Sequence, residues 1–301
     1  MSVNLRGSGV ALITPMTEQG AVDYAALDRM VEHVIDGGMD YLVALGTTGE
    51  PITLDAEECR RVFDRILARV AGRVPVVAGM FGGNHTHALQ QKIHAYNFDG
   101  FAAIMSSSPA YNKPTQAGIY EHYTRLADTA PLPILLYNVP GRTASTVEAE
   151  TILRLAEQGA ERFVGVKDAT ADLRLSMEVA AHKPADFQLL CGEDGMVLPF
   201  LAVGGEGAIS VIANGFPRIF SRLVQAALGA DLPTARALNA QLLPLDHWLY
   251  NENNPAGIKA VCEHLGLCTR HVRLPLLPYS TDNLPGLRAA ADQILAAVSP
   301  R

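Results

Sequence analysis

The stretch GVALITPMTEQG, residues 9–20, begins as an apolar run of strand character and passes through Thr14, Pro15 and Met16 into the polar Thr17, Glu18 and Gln19. A helical period then begins in DYAALDRMVEHVIDGG, residues 23–38, so the unit is strand, loop, helix. Such a unit opens either a (β/α)8 barrel or an open, doubly wound sheet. The dinucleotide-binding form of the open sheet carries G-x-G-x-x-G directly after its first strand. Here that strand ends in ITPMTEQG, and the fingerprint is absent.

The same unit recurs along the chain. YLVALG precedes DAEECRRVFDRILARVAG, VPVVAGM precedes HTHALQQKIHAYN, and FAAIMSSS precedes QAGIYEHYTRLADTA. PILLYNV, FVGVKDA, FQLLCGED and GAISVIA are each followed by a helical segment in turn, which makes eight repeats in about 225 residues. Strands nearly continuous in Val, Ile, Leu and Ala suit a parallel sheet covered by helices. The sequence therefore predicts a (β/α)8 TIM barrel over residues 1–230. From residue 231 to 301 the pattern is helix only, with proline-bearing turns at NENNP and RLPLLPYSTDNLP, and this predicts a C-terminal helical extension. It either packs on the barrel flank or builds a subunit contact.

Composition narrows the function classes. The 301 residues are 49% hydrophobic and 18% charged, as in a globular protein with a sizeable core. A net charge of −7 without any Lys/Arg run argues against nucleic acid as a partner. No uncharged run approaches the ~18 residues that cross a bilayer, and the first residues lack signal-peptide character, so the expected location is cytoplasmic. Cys59, Cys191, Cys262 and Cys268 have no metal-site or redox spacing and read as reduced packing residues. His85 and His87 read as polar residues at a helix start, and GGEGAIS reads as a turn. No metal and no cofactor are expected.

In a barrel the reactive groups lie at the carboxyl ends of the strands. Those ends are polar here: Thr47, Thr48 and Glu50 after strand two, Tyr111 after strand four, Tyr137 and Arg142 at strand five, Lys167 at strand six, Gly192 and Glu193 at strand seven, and Ile209 with Ser210 at strand eight. Singly, each has an ordinary role as a loop cap, a core aromatic or a surface ion pair. Together at one mouth they compose a chemistry. An amine at a strand end inside an apolar barrel is desolvated, which disfavours the ammonium and leaves a nucleophilic fraction able to form a Schiff base with a carbonyl. A nearby tyrosine exchanges protons, Thr47 and Tyr111 can relay them, and Arg142 offers a fork of donors to a carboxylate. Thr48 and neighbouring backbone N–H groups can hold another.

The motifs GTTGE (46–50), YNVPGRT (137–143) and GVKDAT (165–170), in this order, resemble the dihydrodipicolinate synthase/N-acetylneuraminate lyase family of class I aldolases. AYNKPTQAGIY, LLCGEDG, GGEGAISVIAN and NENNPAGIKAV extend the resemblance to its synthase branch over nearly the whole chain. The resemblance implies a condensation of pyruvate with L-aspartate-4-semialdehyde toward diaminopimelate and lysine, without cofactor. By the family pattern Lys167 is the imine-forming nucleophile and Tyr137 the proton donor and acceptor, with Thr47 and Tyr111 as its relay. Thr48, the Ile209 backbone and Gly192 fall at pyruvate and substrate positions, and Arg142 receives the semialdehyde carboxylate. Tyr111 would reach the site of a neighbouring subunit, in a homotetramer built as a dimer of dimers.

The alternative in the family is a pyruvate-dependent lyase of sialic or 2-keto-3-deoxy sugar acids. Arg142 and the second threonine of GTTGE favour the amino-acid semialdehyde. A barrel kept only for binding would form no covalent bond at Lys167. Ala110, Pro51, Ile52, Ala56 and Cys59 depart from lysine-sensitive members, so the resemblance carries over catalysis but not feedback inhibition by lysine.

Overall fold

The computed structural model of the chain describes residues 3–298. Eight strands run parallel and close into a barrel in chain order: β1 (Gly7–Ala11), β2 (Tyr41–Ala44), β3 (Val76–Ala78), β4 (Ala103–Ser107), β5 (Ile134–Asn138), β6 (Phe163–Asp168), β7 (Gln188–Cys191) and β8 (Gly207–Ser210). Between them run α1 (Tyr24–Asp36), α2 (Ala56–Val70), α3 (Thr86–Ala95), α4 (Gln116–Thr129), the single turn α5 (Pro140–Thr143), α6 (Ala149–Ala156), α7 (Leu173–His182) and α8 (Val197–Ala202). After β8 come α9 (Pro217–Leu228), α10 (Leu232–Tyr250), α11 (Ala256–His264) and α12 (Leu284–Val298). The structure is the (β/α)8 barrel that the repeats predict, with C-terminal helices added.

Alternation along the strands sorts the apolar side chains into two cores. Tyr41, Val43, Val77, Ala103, Met105, Leu135, Tyr137 and Leu190 fill the lumen. Leu42, Ala44, Ala78, Ile104, Ile134 and Leu136 face the helix layer. The helices present matching stripes. In α2 the buried residues are Cys59, Val62, Phe63, Ile66 and Val70, and a reciprocal capping box between Asp55 and Glu58 starts the helix. Phe63 lies edge-on to Phe101 at 4.9 Å between ring centres. Its truncation to alanine would cost about 3–5 kcal/mol.

One boundary differs from the sequence reading. The first strand was expected to run through Thr14 but ends at Ala11. Leu12 N still bonds Val43 O at 3.0 Å, while Ile13 N turns to the side-chain Oδ1 of Asn214 at 3.0 Å, so a side chain replaces the ladder at the strand's end. The pair His85 and His87 does open a helix: His85 Nδ1 accepts from Ala88 N at 3.1 Å and caps α3. All four cysteines are buried and unpaired.

Of the two placements open to the C-terminal helices, the flank is occupied: α10 packs on α9 and α12 and touches α8, while α11 packs on α12 and on the turn Ile212–Asn214. Residues 1–2, and 299–301 of the expected helical region, lie outside the described residues. Among the described residues no helix is long and apolar enough to cross a membrane.

Candidate active site

Lys167 points into the lumen because of an irregularity in β6. Val164 faces the lumen, so plain alternation would turn Val166 inward and Lys167 out into the helix layer. Instead the register between β5 and β6 shifts: Ile134 pairs with Phe163 but Leu135 pairs with Gly165, so Val164 is skipped. Val166 consequently packs in the outer core, and Lys167 aligns with the lumen-facing Tyr137. Gly165 permits the close approach, since a Cβ there would sit 2.2 Å from Gln188 O.

Lys167 is 5% exposed. Its Nζ makes no hydrogen bond or ion pair to any described residue and lies 4.4 Å from the centre of the Tyr137 ring. Gly192, at the end of β7, borders the lysine stem: a Cβ there would meet Lys167 Cε at 3.0 Å and Ala169 Cβ at 2.7 Å. Lys167, Tyr137 and Gly192 thus form one contact group. Ile209 lies in the same lumen cluster as Tyr137, on β8 opposite Gly9 of β1.

A cavity of about 630 Å³ opens beside this group, with Thr47, Tyr137, Arg142, Met105, Ser107 and Lys92 among its walls. Thr47 begins a tight turn, Thr47–Gly49, after β2. Thr48, also in this turn, is buried and accepts a hydrogen bond at Oγ1 from Asn254 Nδ2 at 3.0 Å. Arg142 stands exposed on α5, whose Pro140 ends the β5 strand. Tyr111 is the residue that one chain does not bring in. Its side chain is 87% exposed, with φ at 73°, while its backbone N–H bonds Thr143 O at 3.2 Å.

Carboxylates flank the lysine on the β7 side. Burial pushes the Glu193 carboxyl above its usual range, as does neighbouring Asp194, while Lys167 and Arg142 pull it back. Burial likewise raises Asp194, whose Oδ2 accepts from Val211 N at 2.9 Å, Ile212 N at 2.8 Å and Tyr250 Oη at 3.3 Å. Asp194 thereby fixes the backbone just beyond Ile209. Asp246 of α10 is pushed up to about 7 by burial, with Asp194 and Glu193 adding to the shift. Asp168, beside Lys167 but on the outer face, is raised by burial and bonded to Ser176 Oγ at 2.9 Å.

The sequence reading did not single out Ser107, Asn254, Asp246 or Lys259 as parts of this region. Lys259 is fully buried and pairs with Glu50, the last residue of GTTGE, at 2.5 Å. A lysine inside the apolar helix segment AGIKAVCEH was the available signal, because buried lysines need a partner.

The sequence matches the model of the dihydrodipicolinate synthetase family over residues 4–294. It is 44% identical over 276 residues to the 4-hydroxy-tetrahydrodipicolinate synthase of Parabacteroides distasonis, covering 92% of each chain. To the enzyme of the same name from Koribacter versatilis it is 42% identical over 294 residues, covering 98% of this chain and 96% of that one. Its fold superposes on the dihydrodipicolinate synthase of Aquifex aeolicus with a TM-score of 0.91 at 38% identity, covering 96% and 98% of the two chains. It superposes on the chloride-inhibited dihydrodipicolinate synthase of Acinetobacter baumannii, solved with pyruvate, with a TM-score of 0.92 at 36% identity, covering 97% of this chain and 99% of that one.

Proposed function

The chain belongs to the dihydrodipicolinate synthetase family, enzymes of the class I aldolase type, and from that premise we propose how its barrel mouth condenses pyruvate with L-aspartate-4-semialdehyde. The reaction is the 4-hydroxy-tetrahydrodipicolinate synthase step toward diaminopimelate and lysine; the relatives described above are synthases, not sugar-acid lyases. The observation that carries the mechanism is Lys167: buried, on the lumen side of β6, with an amine unclaimed by any described hydrogen-bond or ionic partner. Such an amine meets a carbonyl without first breaking a protein contact.

In this reading Lys167 Nζ attacks the ketone carbon of pyruvate, and loss of water leaves an imine. The iminium withdraws electrons from the methyl carbon, so a proton leaves there and an enamine forms. That carbon attacks the aldehyde of the second substrate, and the new alkoxide takes up a proton. The amino group of the second substrate then displaces Lys167 as the ring closes. Tyr137, whose ring lies against the amine, gives and takes the protons. Thr47, on the wall shared with Tyr137, is one relay hydroxyl. Tyr111 is the other, and its exposure suits a side chain that serves a neighbouring subunit. Thr48 and the Ile209 backbone hold the pyruvate carboxylate, Gly192 leaves room for the adduct, and Arg142 takes the semialdehyde carboxylate.

The assembly we assign is a homotetramer, a dimer of dimers, with Tyr111 at the contact. Ile52, an apolar residue 94% exposed beside the same cavity, supports a covered rim. The reaction is placed in the cytoplasm, where four free thiols remain reduced. Borohydride reduction with pyruvate tests the core of the reading. A mass increase of one reduced pyruvate adduct on the peptide containing Lys167 is expected; an unmodified Lys167 in active-site-intact protein sinks it.

A further inference from the structure

The turn Thr47–Gly49 is bracketed by Leu45 at φ 51° and Glu50 at φ 56°. Neither is glycine, and such left-handed residues persist only where the surroundings over-determine them. Part of the restraint is local: Thr14 Oγ1 donates to Gly49 O at 2.7 Å, and Thr53 Oγ1 to Glu50 O at 3.1 Å. The rest arrives from the far end of the chain. Lys259 Nζ, on α11, donates to Glu50 Oε1 at 2.5 Å and to His271 O at 2.9 Å. Arg273 N approaches Glu50 Oε2 at 3.4 Å, and Asn254 Nδ2 holds Thr48 Oγ1 at 3.0 Å.

From this geometry we propose that the C-terminal helical region positions the substrate-binding turn, with Lys259 acting on Glu50 and Asn254 on Thr48, so that the turn keeps the shape pyruvate binding requires. The proposal rests on the pyruvate-binding role assigned to Thr48 above. Stability alone does not account for the pair. A buried ion pair is often no more stabilising than apolar residues of the same volume, and its distinct contribution is direction. With both side chains at 0% and 2% exposure, the Glu50 carboxylate has one place to go. The backbone it anchors is the backbone that carries Thr47 and Thr48.

The test separates position from stability. Lys259→Met leaves Glu50 buried without its cation and lowers the melting midpoint. The double variant Glu50→Met/Lys259→Met removes both charges, and its melting midpoint returns toward that of the wild type. Pyruvate KM in the double variant should nevertheless stay raised about tenfold or more, because small displacements at a binding turn are costly. A KM that recovers together with the melting midpoint overturns the proposal. Should the double variant fail to fold, Asn254→Ala decides, since Asn254 is only half-buried: a raised pyruvate KM at unchanged melting midpoint supports positioning, and an unchanged KM overturns it. Borohydride trapping on the wild-type protein is run alongside. Without a wild-type adduct the functional reading falls and takes this inference with it; with one, the variants judge the inference alone.

Discussion

Among the described residues two lysines are buried, and their surroundings are opposite. Lys259 is completely enclosed and fully engaged, with the Glu50 carboxylate on one side and the His271 carbonyl on another. Lys167 is 5% exposed and has only the face of an aromatic ring beside it, with carboxylates further off at Glu193 and Asp194. Burial of a charged group is costly unless it is paired. Lys259 meets that cost with its partners and becomes a fastener. Lys167 has no hydrogen-bond or ion-pair partner among the described residues, so its amine can meet a carbonyl without first breaking a protein contact. Partner sets, more than burial, distinguish the structural lysine from the chemical one.

The largest break in this comparison comes from removing the unpaired amine. Lys167→Ala should lower turnover by about 10⁴-fold or more, as loss of a catalytic nucleophile does. The melting midpoint should stay nearly level, because no hydrogen-bond or ion-pair partner is stranded and only the longer-range pull on Glu193 and Asp194 is lost. Turnover measured beside thermal unfolding checks it, and an active Lys167→Ala protein would end the Schiff-base reading. For Lys259 the signature reverses. Lys259→Met strands a buried carboxylate and should cost about 3–5 kcal/mol of stability in denaturant unfolding. A loss near zero would mean that Glu50 finds solvent or another donor, and the two lysines would no longer contrast.

Crowding Lys167 gives a smaller effect. Gly192→Ala places a Cβ 2.7 Å from Ala169 Cβ and 3.0 Å from Lys167 Cε, so the chain at Ala169, two residues beyond Lys167, must shift and the lysine stem must move with it. A displacement of that size should reduce the rate of pyruvate trapping by about 10²-fold while the chain still folds. Rapid-quench borohydride kinetics measure it; an unchanged trapping rate would place Gly192 outside the path of the adduct.

These contrasts were unevenly legible in the sequence. Each strand–helix repeat carries its own period, so the barrel was readable from local pattern. Polar residues collect at strand ends, and Lys167, Tyr137 and Gly192 are in contact in the structure. The inward turn of Lys167 was not readable, because it depends on a register shift at Val164 that alternation cannot reveal, with Gly165 as the only local trace. Asn254 and Lys259 were invisible for a different reason. They meet Thr48 and Glu50 across sequence separations of 206 and 209 residues, and no periodicity spans such a distance. Tyr111 was placed after the right strand, but nothing in a single chain covers it.

The smallest effect sharpens the electrostatic side of the comparison. Lys259 has one carboxylate in contact, whereas two act on Lys167 from the β7 side, Glu193 and Asp194, and these crowd a third, Asp246 of α10. Burial, aided by Asp194 and Glu193, raises Asp246 from an ordinary 3.8 to about 7. A carboxyl whose folded value is raised stabilises the fold while it stays protonated. That contribution is complete below 3.8 and is lost as pH rises through about 7. Asp246 retains some solvent contact, so the loss between pH 5 and pH 8 should be only about 1–2 kcal/mol after allowance for screening. Asp246→Asn removes the titration. Other groups, such as Glu58 held down to about 2 by its hydrogen bonds with Arg273, titrate alike in both proteins and cancel. Urea midpoints at the two pH values should therefore fall more in the wild type than in Asp246→Asn. Equal falls would show that Asp246 is already ionised in the folded protein at pH 5, and that it is better solvated than its burial implies.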